Sequence, residues 1–193
     1  MSNCLQNKRI YCFNTYFYVY IQKEYDESIS KCIESYKKLN KWGKYIDIFK
    51  CEYIAIPIHE YNHWSIVIIC NPSLLKNLIE NLRVRAEESI NAPEILYFDS
   101  FYPDNDKCIS VIKRYLIIEY LRREDNNQIK NFVETNLIDI ESLIKSCSPK
   151  VPMQNNTFDC GIYVLIFAEL FFKNPKFVLC RINVEVIQII FIS

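Results

Sequence analysis

The chain has 193 residues, of which 50% are hydrophobic and 24% are charged, and its formal net charge is zero. A chain of this length is expected to form one domain with a sizeable core. The balanced charge argues against a broad surface for nucleic acid or anionic membrane. No apolar stretch approaches the roughly 18 residues of a membrane span.

Nine cysteines, an odd number, are scattered along the chain without the C-x-x-C spacing that zinc and redox sites favour. The histidines are His59 and His63, which leaves a Cys/His zinc site few ligands. No signal-peptide pattern is present, and scattered thiols are typical of a reducing compartment. We therefore expect no metal ion and no cofactor, and a location in the nucleus or the cytoplasm.

Hydrophobic periodicity predicts a chain of mixed α and β structure. Residues 11–20 form an aromatic run that we assign to the core or to a partner-facing surface, because no basic patch lies beside it for base stacking. In chain order the further predictions are a helix over 28–40, strands over 52–58 and 63–70, a charged surface helix or insertion over 73–89, a strand over 94–98, and helices over 107–123 and 159–172.

Polar and proline-containing segments separate these elements. Residues 59–62 are predicted to form a polar turn, and residues 124–130 a polar stretch. Residues 150–152 are expected to be extended, since the residue before a proline avoids the helical region, and Asn174-Pro175 is expected to end the last helix. The continuous apolar run 66–69 is typical of a strand that is covered on both faces.

The strongest signal is the segment 154–160, which reads Gln-Asn-Asn-Thr-Phe-Asp-Cys and is followed by Gly161. The chain has only two glycines, and this one follows the cysteine that begins a strongly apolar helix. A glycine here removes side-chain bulk beside the thiol and lets a reacting group approach the backbone. His63-Trp64 lies upstream at a strand start and Asp99 at a later strand end. This order of His, Asp, Gln and Cys is the layout of a cysteine hydrolase.

Each of these residues fits a step of acyl transfer through a thiol. Cys160 is the candidate nucleophile because a helix N-terminus favours the thiolate, and His63 is the candidate base that takes its proton. Asp99 would hold the far ring nitrogen of the imidazole and fix its tautomer. The side-chain amide of Gln154 and the backbone N–H of Cys160 are the candidate donors to the developing oxyanion.

Simpler interpretations compete with this one. Cysteine is among the most buried residue types, so we expect the eight cysteines other than Cys160 to be small core residues. His59 is interpreted as a solvated turn residue. Pro57 argues against a helix that would pair it with His63 on a metal ion. Asp159 is interpreted as a helix N-cap.

At these residues the chain resembles the Ulp and sentrin-specific protease (SENP) family of cysteine proteases, which cleave after the C-terminal Gly-Gly of SUMO or related modifiers. The matching elements are Asn62-His63-Trp64, the strand 96–100 with its Asp-Ser pair, and the Gln-x5-Cys-Gly segment 154–161. The resemblance extends from Arg9 to Pro175. Residues before the Asp strand are similar to the inserted loop of the branch that edits poly-SUMO chains.

The resemblance implies an α+β fold of the papain-like (adenain/Ulp) type, in which helices flank a central mixed sheet and the nucleophile lies at a helix N-terminus. It implies catalytic roles for four residues and contacts with the substrate's diglycine for two. The catalytic residues are His63, Asp99, Gln154 and Cys160, and the substrate-binding residues are Trp64 and Gly161.

The resemblance also predicts a single peptidase domain over residues 1–193. This domain would be incomplete at its N-terminus, where the family's Leu-Asn-Asp segment is missing, and divergent after about residue 175. The implied function is a SUMO-specific isopeptidase that forms a thioester and acts as a monomer on SUMO or SUMO conjugates, including poly-SUMO chains. Three alternatives stay open: a catalytically impaired pseudoprotease that binds SUMO, a protease for another modifier such as Nedd8, and an acetyltransferase that uses an acyl-CoA donor.

Overall fold

Five strands form one sheet within the residues that the computed structural model describes, which are 9–38, 46–85, 91–102 and 104–182. The strands follow one another across the sheet in chain order. The central three pair antiparallel, and the short strands at the two edges add in parallel. The strands are β1 (Ile10–Cys12), β2 (Tyr53–Glu60), β3 (His63–Cys70), β4 (Glu94–Phe98) and β5 (Lys145–Cys147).

Helices cover both faces of this sheet, so that the α+β architecture with a mixed central sheet is confirmed. The helices that pack into the larger of two hydrophobic cores are α1 (Tyr16–Lys23), α2 (Ile29–Lys38), α3 (Leu74–Val84), α4 (Asp106–Arg123), α5 (Asn127–Thr135) and α6 (Leu137–Leu143). The helices that pack into the smaller core are α7 (Cys160–Lys173) and α8 (Pro175–Ile182).

Strand β3 divides the two cores. Val67 and Ile69 point into the larger core, whereas Ile66 and Ile68 point into the smaller one. Successive side chains of a strand point to opposite faces, so a strand buried on both faces must be apolar at consecutive positions. The prediction made from the run 66–69 is therefore confirmed.

The turn between β2 and β3 is shorter than the sequence indicates. It consists of Tyr61 and Asn62, whose φ angles are 50° and 61°, and Glu60 pairs directly with His63. Two central residues with positive φ form the type of turn that closes a two-residue hairpin. The predicted turn over residues 59–62 is thus wrong by two residues, because β2 stays paired as far as Glu60.

Four elements of the C-terminal half were not predicted, namely helices α5, α6 and α8 and strand β5. Helix α5 begins within the stretch 124–130 that was interpreted as polar, where the Asn126 side chain accepts hydrogen bonds from the first-turn amides. Helix α5 places Ile129, Phe132 and Val133 at helical spacing against the larger core, a pattern that the interpretation as a polar stretch did not take into account. Helix α6 has seven residues and buries Ile140. Strand β5 has three residues and depends on pairing with β4, which no local pattern reveals.

No element was predicted for the region that forms β1 and α1, whereas the other elements follow the predictions closely. The aromatic run contributes Phe13, Phe17 and Tyr18 to the larger core. Helix α3 confirms the helical interpretation of 73–89 as far as Val84, although Leu75, Leu78 and Ile79 are buried rather than on the surface. Helix α7 ends at Lys173, and the proline of Asn174-Pro175 becomes the first residue of α8, a position that proline favours. Residues 39–45 and 86–90 lie outside the described residues.

Candidate active site

His63 and Asp99 meet at one end of the neighbouring strands β3 and β4. His63 is the first residue of β3 and Asp99 follows the last residue of β4, and these two strands run antiparallel. The imidazole Nε2 lies 2.7 Å from the Asp99 Oδ1 atom. The carboxylate is almost fully buried, whereas 17% of the imidazole side chain is exposed. The predicted partnership of these two residues is therefore present as a direct hydrogen bond.

The Asp99 carboxylate is held by three further donors. Its Oδ1 atom accepts hydrogen bonds from the backbone N–H groups of Phe101 at 2.7 Å and Tyr102 at 2.9 Å. Its Oδ2 atom accepts the hydroxyl of Tyr97 at 2.7 Å. Burial and the neighbouring Asp99 raise the pKa of Tyr97, so this hydroxyl stays protonated and remains a donor. A buried carboxylate with this many donors keeps one position and tolerates its charge.

The hydrogen bond to Asp99 decides which ring nitrogen of His63 is available for chemistry. Because Nε2 faces the carboxylate, Nδ1 is the nitrogen left to exchange a proton with another group. The rings of Phe101 and Tyr102 lie 6.0 Å and 5.5 Å from the imidazole, measured between centroids. These aromatic neighbours limit the orientations that the imidazole can adopt.

Cys160 is the first residue of α7, as predicted, and only 4% of it is exposed. Helix α7 packs against β3, and a Cβ atom built on Gly161 would lie 3.7 Å from the Trp64 Cδ1 atom. The residue after Cys160 therefore contacts the residue after His63. The N-terminus of a helix carries partial positive charge, which favours a thiolate there.

Asp159 does not cap this helix through its side chain, which corrects the N-cap interpretation. It occupies the N-cap position, but its carboxylate accepts a hydrogen bond from the Asn156 Nδ2 atom at 2.7 Å. The Asn156 Oδ1 atom in turn accepts the backbone N–H groups of Phe158 and Asp159. Asn156 thus organises the loop that connects Gln154 to Cys160.

Gln154 contacts Ser100, the residue after Asp99, and the sequence does not reveal this contact. Its Oε1 atom accepts the hydroxyl of Ser100 at 2.7 Å, and its Nε2 atom donates to the carbonyl oxygen of Asn156 at 2.6 Å. The side chain is buried, with 8% exposed. It lines a cleft of about 560 Å³ together with His63 and Asp99.

A second opening lies on the other face of the β2–β3 hairpin. It is an apolar groove of about 510 Å³, lined by Trp64 and Gly161 and by side chains of β2 and α7. His63 lines the cleft and Trp64 lines the groove, because adjacent strand residues point to opposite faces. The Cys160 side chain lines neither of these two openings and is covered by protein.

The structure corrects the interpretation of His59 and adds a contact that sequence reasoning missed. His59 is exposed, as expected, but it belongs to β2 rather than to a turn and pairs across the hairpin with Trp64. Its ring stacks on the indole with 4.4 Å between centroids and 29° between planes. The pairing of His59 with Trp64 can be derived from the sequence only when the two-residue turn is known.

Two kinds of feature were searched for in the structure, metal-binding clusters and membrane-spanning helices. Among the residues that the structure describes, no group of three or more His, Cys, Asp and Glu side chains is placed to hold a metal ion. In the same part of the chain, no helix has both the length and the apolar character needed to cross a membrane.

Comparison with known proteins assigns the family. The sequence model described as "Ulp1 protease family, C-terminal catalytic domain" matches residues 2–190. The chain belongs to the Ulp1 protease family. The resemblance drawn from the His-Trp, Asp-Ser and Gln-x5-Cys-Gly segments is thereby confirmed.

Relatives within the Ulp1 family share much of this chain. Ubiquitin-like-specific protease 2 of Schizosaccharomyces pombe is 30% identical over 187 residues, which cover 88% of this chain and 27% of that protein. Sentrin-specific protease 7 of Homo sapiens is 25% identical over 218 residues, covering 87% of this chain and 20% of that protein. The chain therefore spans only about a quarter of the length of the curated relatives it matches.

A solved structure described as a de-sumoylating protease confirms the Ulp1-type fold. It superposes with a TM-score of 0.63 at 25% sequence identity, and the match covers 95% of this chain and 59% of the other. The papain-like arrangement implied by the sequence, with a mixed sheet and a cysteine at the start of a helix, is accordingly the fold of this Ulp1 family member.

Proposed function

We propose that this chain is a cysteine protease that releases SUMO from its conjugates by cleaving after the C-terminal Gly-Gly. The observation that carries the proposal is the His63–Asp99 hydrogen bond of 2.7 Å, which lies at the sheet edge beside a helix that begins with Cys160. Membership of the Ulp1 protease family supports this chemistry. The description of a structural neighbour as a de-sumoylating protease supports the substrate.

The proposed reaction begins with proton transfer from the Cys160 thiol to Nδ1 of His63 while Nε2 keeps its hydrogen bond to Asp99. The thiolate attacks the carbonyl carbon of the terminal glycine, and the carbonyl oxygen becomes an oxyanion. One N–H of the Gln154 amide and the backbone N–H of Cys160 donate to this oxygen. When the intermediate collapses, the leaving amine takes the proton from His63 and a thioester remains on Cys160.

Water completes the proposed cycle. His63 removes a proton from a water molecule, the resulting hydroxide attacks the thioester carbonyl, and the carbon–sulfur bond breaks. The products are the free modifier, with its terminal carboxylate, and the Cys160 thiol, which regains its proton from His63. The carboxylate of Asp99 stabilises the imidazolium that forms twice in each turnover.

The apolar groove beside Trp64 and Gly161 fits the tail of the modifier. An extended diglycine carries no side chains, so it can lie in the groove along Trp64 and Gly161 where larger residues would be excluded. We propose SUMO, SUMO conjugates and poly-SUMO chains as substrates, a monomer as the acting form, and the nucleus or the cytoplasm as its location. The relative named sentrin-specific protease 7 supports the choice of modifier.

Gly161→Ala is expected to separate activity from stability. The added Cβ would meet Trp64 at 3.7 Å, an ordinary contact, so the empty protein accommodates it. Alanine is also a better helix former than glycine, so we expect an unchanged or slightly higher melting temperature. The methyl group projects toward the groove, and we expect kcat/KM for a SUMO substrate to fall by on the order of 10-fold.

Steady-state kinetics and a thermal melt test this prediction. Ile162→Ala is the matched control, since Ile162 lies next in the same helical turn but lines neither opening, and its kcat/KM should stay unchanged. Full activity of the Gly161→Ala variant would contradict the placement of the modifier's tail beside this glycine.

Alkylation at neutral pH is expected to select Cys160. Burial raises the pKa of Cys108 to about 12, so this thiol holds almost no thiolate at pH 7. Burial likewise raises the pKa of the thiols of Cys32, Cys51, Cys70 and Cys147. The proposed activation of Cys160 by a helix N-terminus and His63 should make it react at least about 10-fold faster than these.

Iodoacetamide labelling read by peptide mass spectrometry measures these rates. Cys12 is exposed, contrary to the core position expected of it, whereas Cys160 is buried, so faster labelling of Cys160 than of Cys12 would not come from better access. Burial of part of the side chain raises the pKa of the Cys12 thiol too, so the rate of Cys160 is also compared with that of a free cysteine in solution. Equal labelling of Cys160 and Cys12 at neutral pH would rule out an activated thiolate.

Covalent capture tests the function as a whole. The purified chain is incubated with SUMO carrying a thiol-reactive group in place of its terminal carboxylate, beside ubiquitin and Nedd8 prepared in the same way. We expect an adduct with SUMO alone, on Cys160, and none with the Cys160→Ser variant. An adduct with Nedd8 instead would overturn the substrate, and SUMO binding without an adduct would identify a pseudoprotease.

A further inference from the structure

The amide of Gln154 has an orientation that its neighbours determine. The carbonyl oxygen of Asn156 can only accept a hydrogen bond, so the group 2.6 Å from it must be the amide nitrogen. The amide oxygen then faces Ser100, whose hydroxyl donates to it at 2.7 Å. Reversing the amide would bring two oxygens together at the Asn156 carbonyl, and this arrangement is repulsive.

Ser100 is attached to Gln154 at two points. Its hydroxyl binds the side chain, and its backbone carbonyl accepts the Gln154 backbone N–H at 2.9 Å. Ser100 is 1% exposed and Gln154 is 8% exposed. Without the hydroxyl, the amide oxygen would be a buried acceptor lacking this donor, which costs free energy and favours rotation of the amide.

We propose that Ser100 is a positioning residue for catalysis, because its hydroxyl holds the Gln154 amide with an N–H directed to the developing oxyanion. The inference rests on the proposed function, in which Gln154 is the oxyanion donor. One N–H of the amide is used by Asn156, and the second remains for the carbonyl oxygen of the substrate. Gln154 lines the same cleft as His63. Ser100 itself touches no reacting atom.

Asp99 and Ser100 are adjacent residues that hold two different groups of the site. Asp99 binds the imidazole of His63 and Ser100 binds the amide of Gln154, so the residues that follow β4 serve both sides of the reacting carbonyl. A variant of Ser100 must therefore be tested for two separate effects. Loss of amide orientation would slow only steps that form an oxyanion, whereas displacement of Asp99 would also change the thiolate.

The experiment compares the full chain with Ser100→Ala, Gln154→Ala and the double variant. Four quantities are measured: kcat and KM on SUMO with a fluorogenic C-terminal amide, the alkylation rate of Cys160, and the melting temperature. Alkylation by iodoacetamide forms no oxyanion, so it reports the thiolate alone. We expect Ser100→Ala to lower kcat by roughly 10-fold with KM and the alkylation rate unchanged.

The double variant separates positioning from general structural support. If Ser100 acts through Gln154, then Ser100→Ala should cause no further loss of kcat once Gln154 is alanine. An equal loss in both backgrounds would overturn the inference, as would full kcat in Ser100→Ala. A parallel loss of kcat and alkylation rate would assign Ser100 to support of Asp99 instead.

The outcomes also distinguish this inference from the function on which it rests. If Gln154→Ala keeps full kcat, the oxyanion role of Gln154 fails and the role of Ser100 fails with it. If Gln154→Ala loses kcat and Ser100→Ala does not, only the role of Ser100 fails. Should Ser100→Ala not fold, Ser100→Cys fills the buried position with a weak donor, and the same pattern is expected of it.

Discussion

Cys160→Ser is expected to abolish turnover of a SUMO substrate, with kcat falling at least about 10⁴-fold. Serine replaces one atom of the side chain, and its hydroxyl is far less acidic than a thiol, so proton transfer to His63 no longer produces a nucleophile at neutral pH. The groove beside Trp64 and Gly161 is untouched. We therefore expect the affinity for SUMO to stay close to that of the parent chain.

Two measurements check this expectation, the initial rate of release from a fluorogenic SUMO amide and the affinity for SUMO by titration calorimetry. Cys51→Ser is the matched control, because Cys51 lies outside both openings and its thiol contacts the Asp47 carbonyl. Its kcat should be unchanged. Residual turnover in Cys160→Ser comparable to the parent chain would show that another residue is the nucleophile.

Asp99→Asn is expected to be the second most damaging change, lowering kcat by roughly 10³-fold. The Oδ1 position is held by the N–H groups of Phe101 and Tyr102, so the amide oxygen of asparagine should occupy it and still accept from Nε2 of His63. The tautomer is then retained and only the charge is lost. A unit charge about 4 Å away stabilises an imidazolium by about 4 kcal/mol at an effective dielectric constant of 20, which converts to this factor.

The rate and the melting temperature of Asp99→Asn are compared with those of Asp106→Asn. Asp106 is an exposed residue at the start of α4 and does not line the cleft, so its substitution removes one negative charge without touching His63. We expect Asp106→Asn to keep full kcat. If Asp99→Asn also keeps it, the carboxylate has no part in the chemistry and the His63–Asp99 pair is structural.

The parts of the fold that could be predicted from the sequence are those whose signal is local. Strands β3 and β4 are dense apolar runs with clear ends, and the predicted bounds agree with the structure. Strand β5 has no such signal, because it exists through its pairing with β4. Helix α5 has one, the helical spacing of Ile129, Phe132 and Val133, but the polar residues on either side of it favoured the interpretation as a polar stretch. The bounds of the hairpin turn were predicted wrongly because Tyr61 and Asn62 adopt positive φ angles, and neither is the glycine that usually marks such a turn in a sequence.

The site shows the same division. His63, Asp99 and Cys160 could be proposed because each lies at the end of an element, where a motif is readable along the chain. The hydroxyl of Ser100 and the amide of Gln154 are 54 residues apart in sequence, and the stacking of His59 on Trp64 depends on the register of β2 and β3. Contacts of this kind arise from tertiary packing, so no local pattern predicts them.

The two-residue turn at Tyr61 and Asn62 fixes the register of β3 and therefore which face of the sheet His63 and Trp64 each point to. Neighbouring strand residues face opposite sides, so sliding β3 by one position would exchange the surroundings of His63 and Trp64. The imidazole would then enter the apolar groove and the indole would enter the cleft, although neither residue had been substituted. An insertion in this hairpin that caused such a slide could silence the site while every one of its residues remained in the sequence.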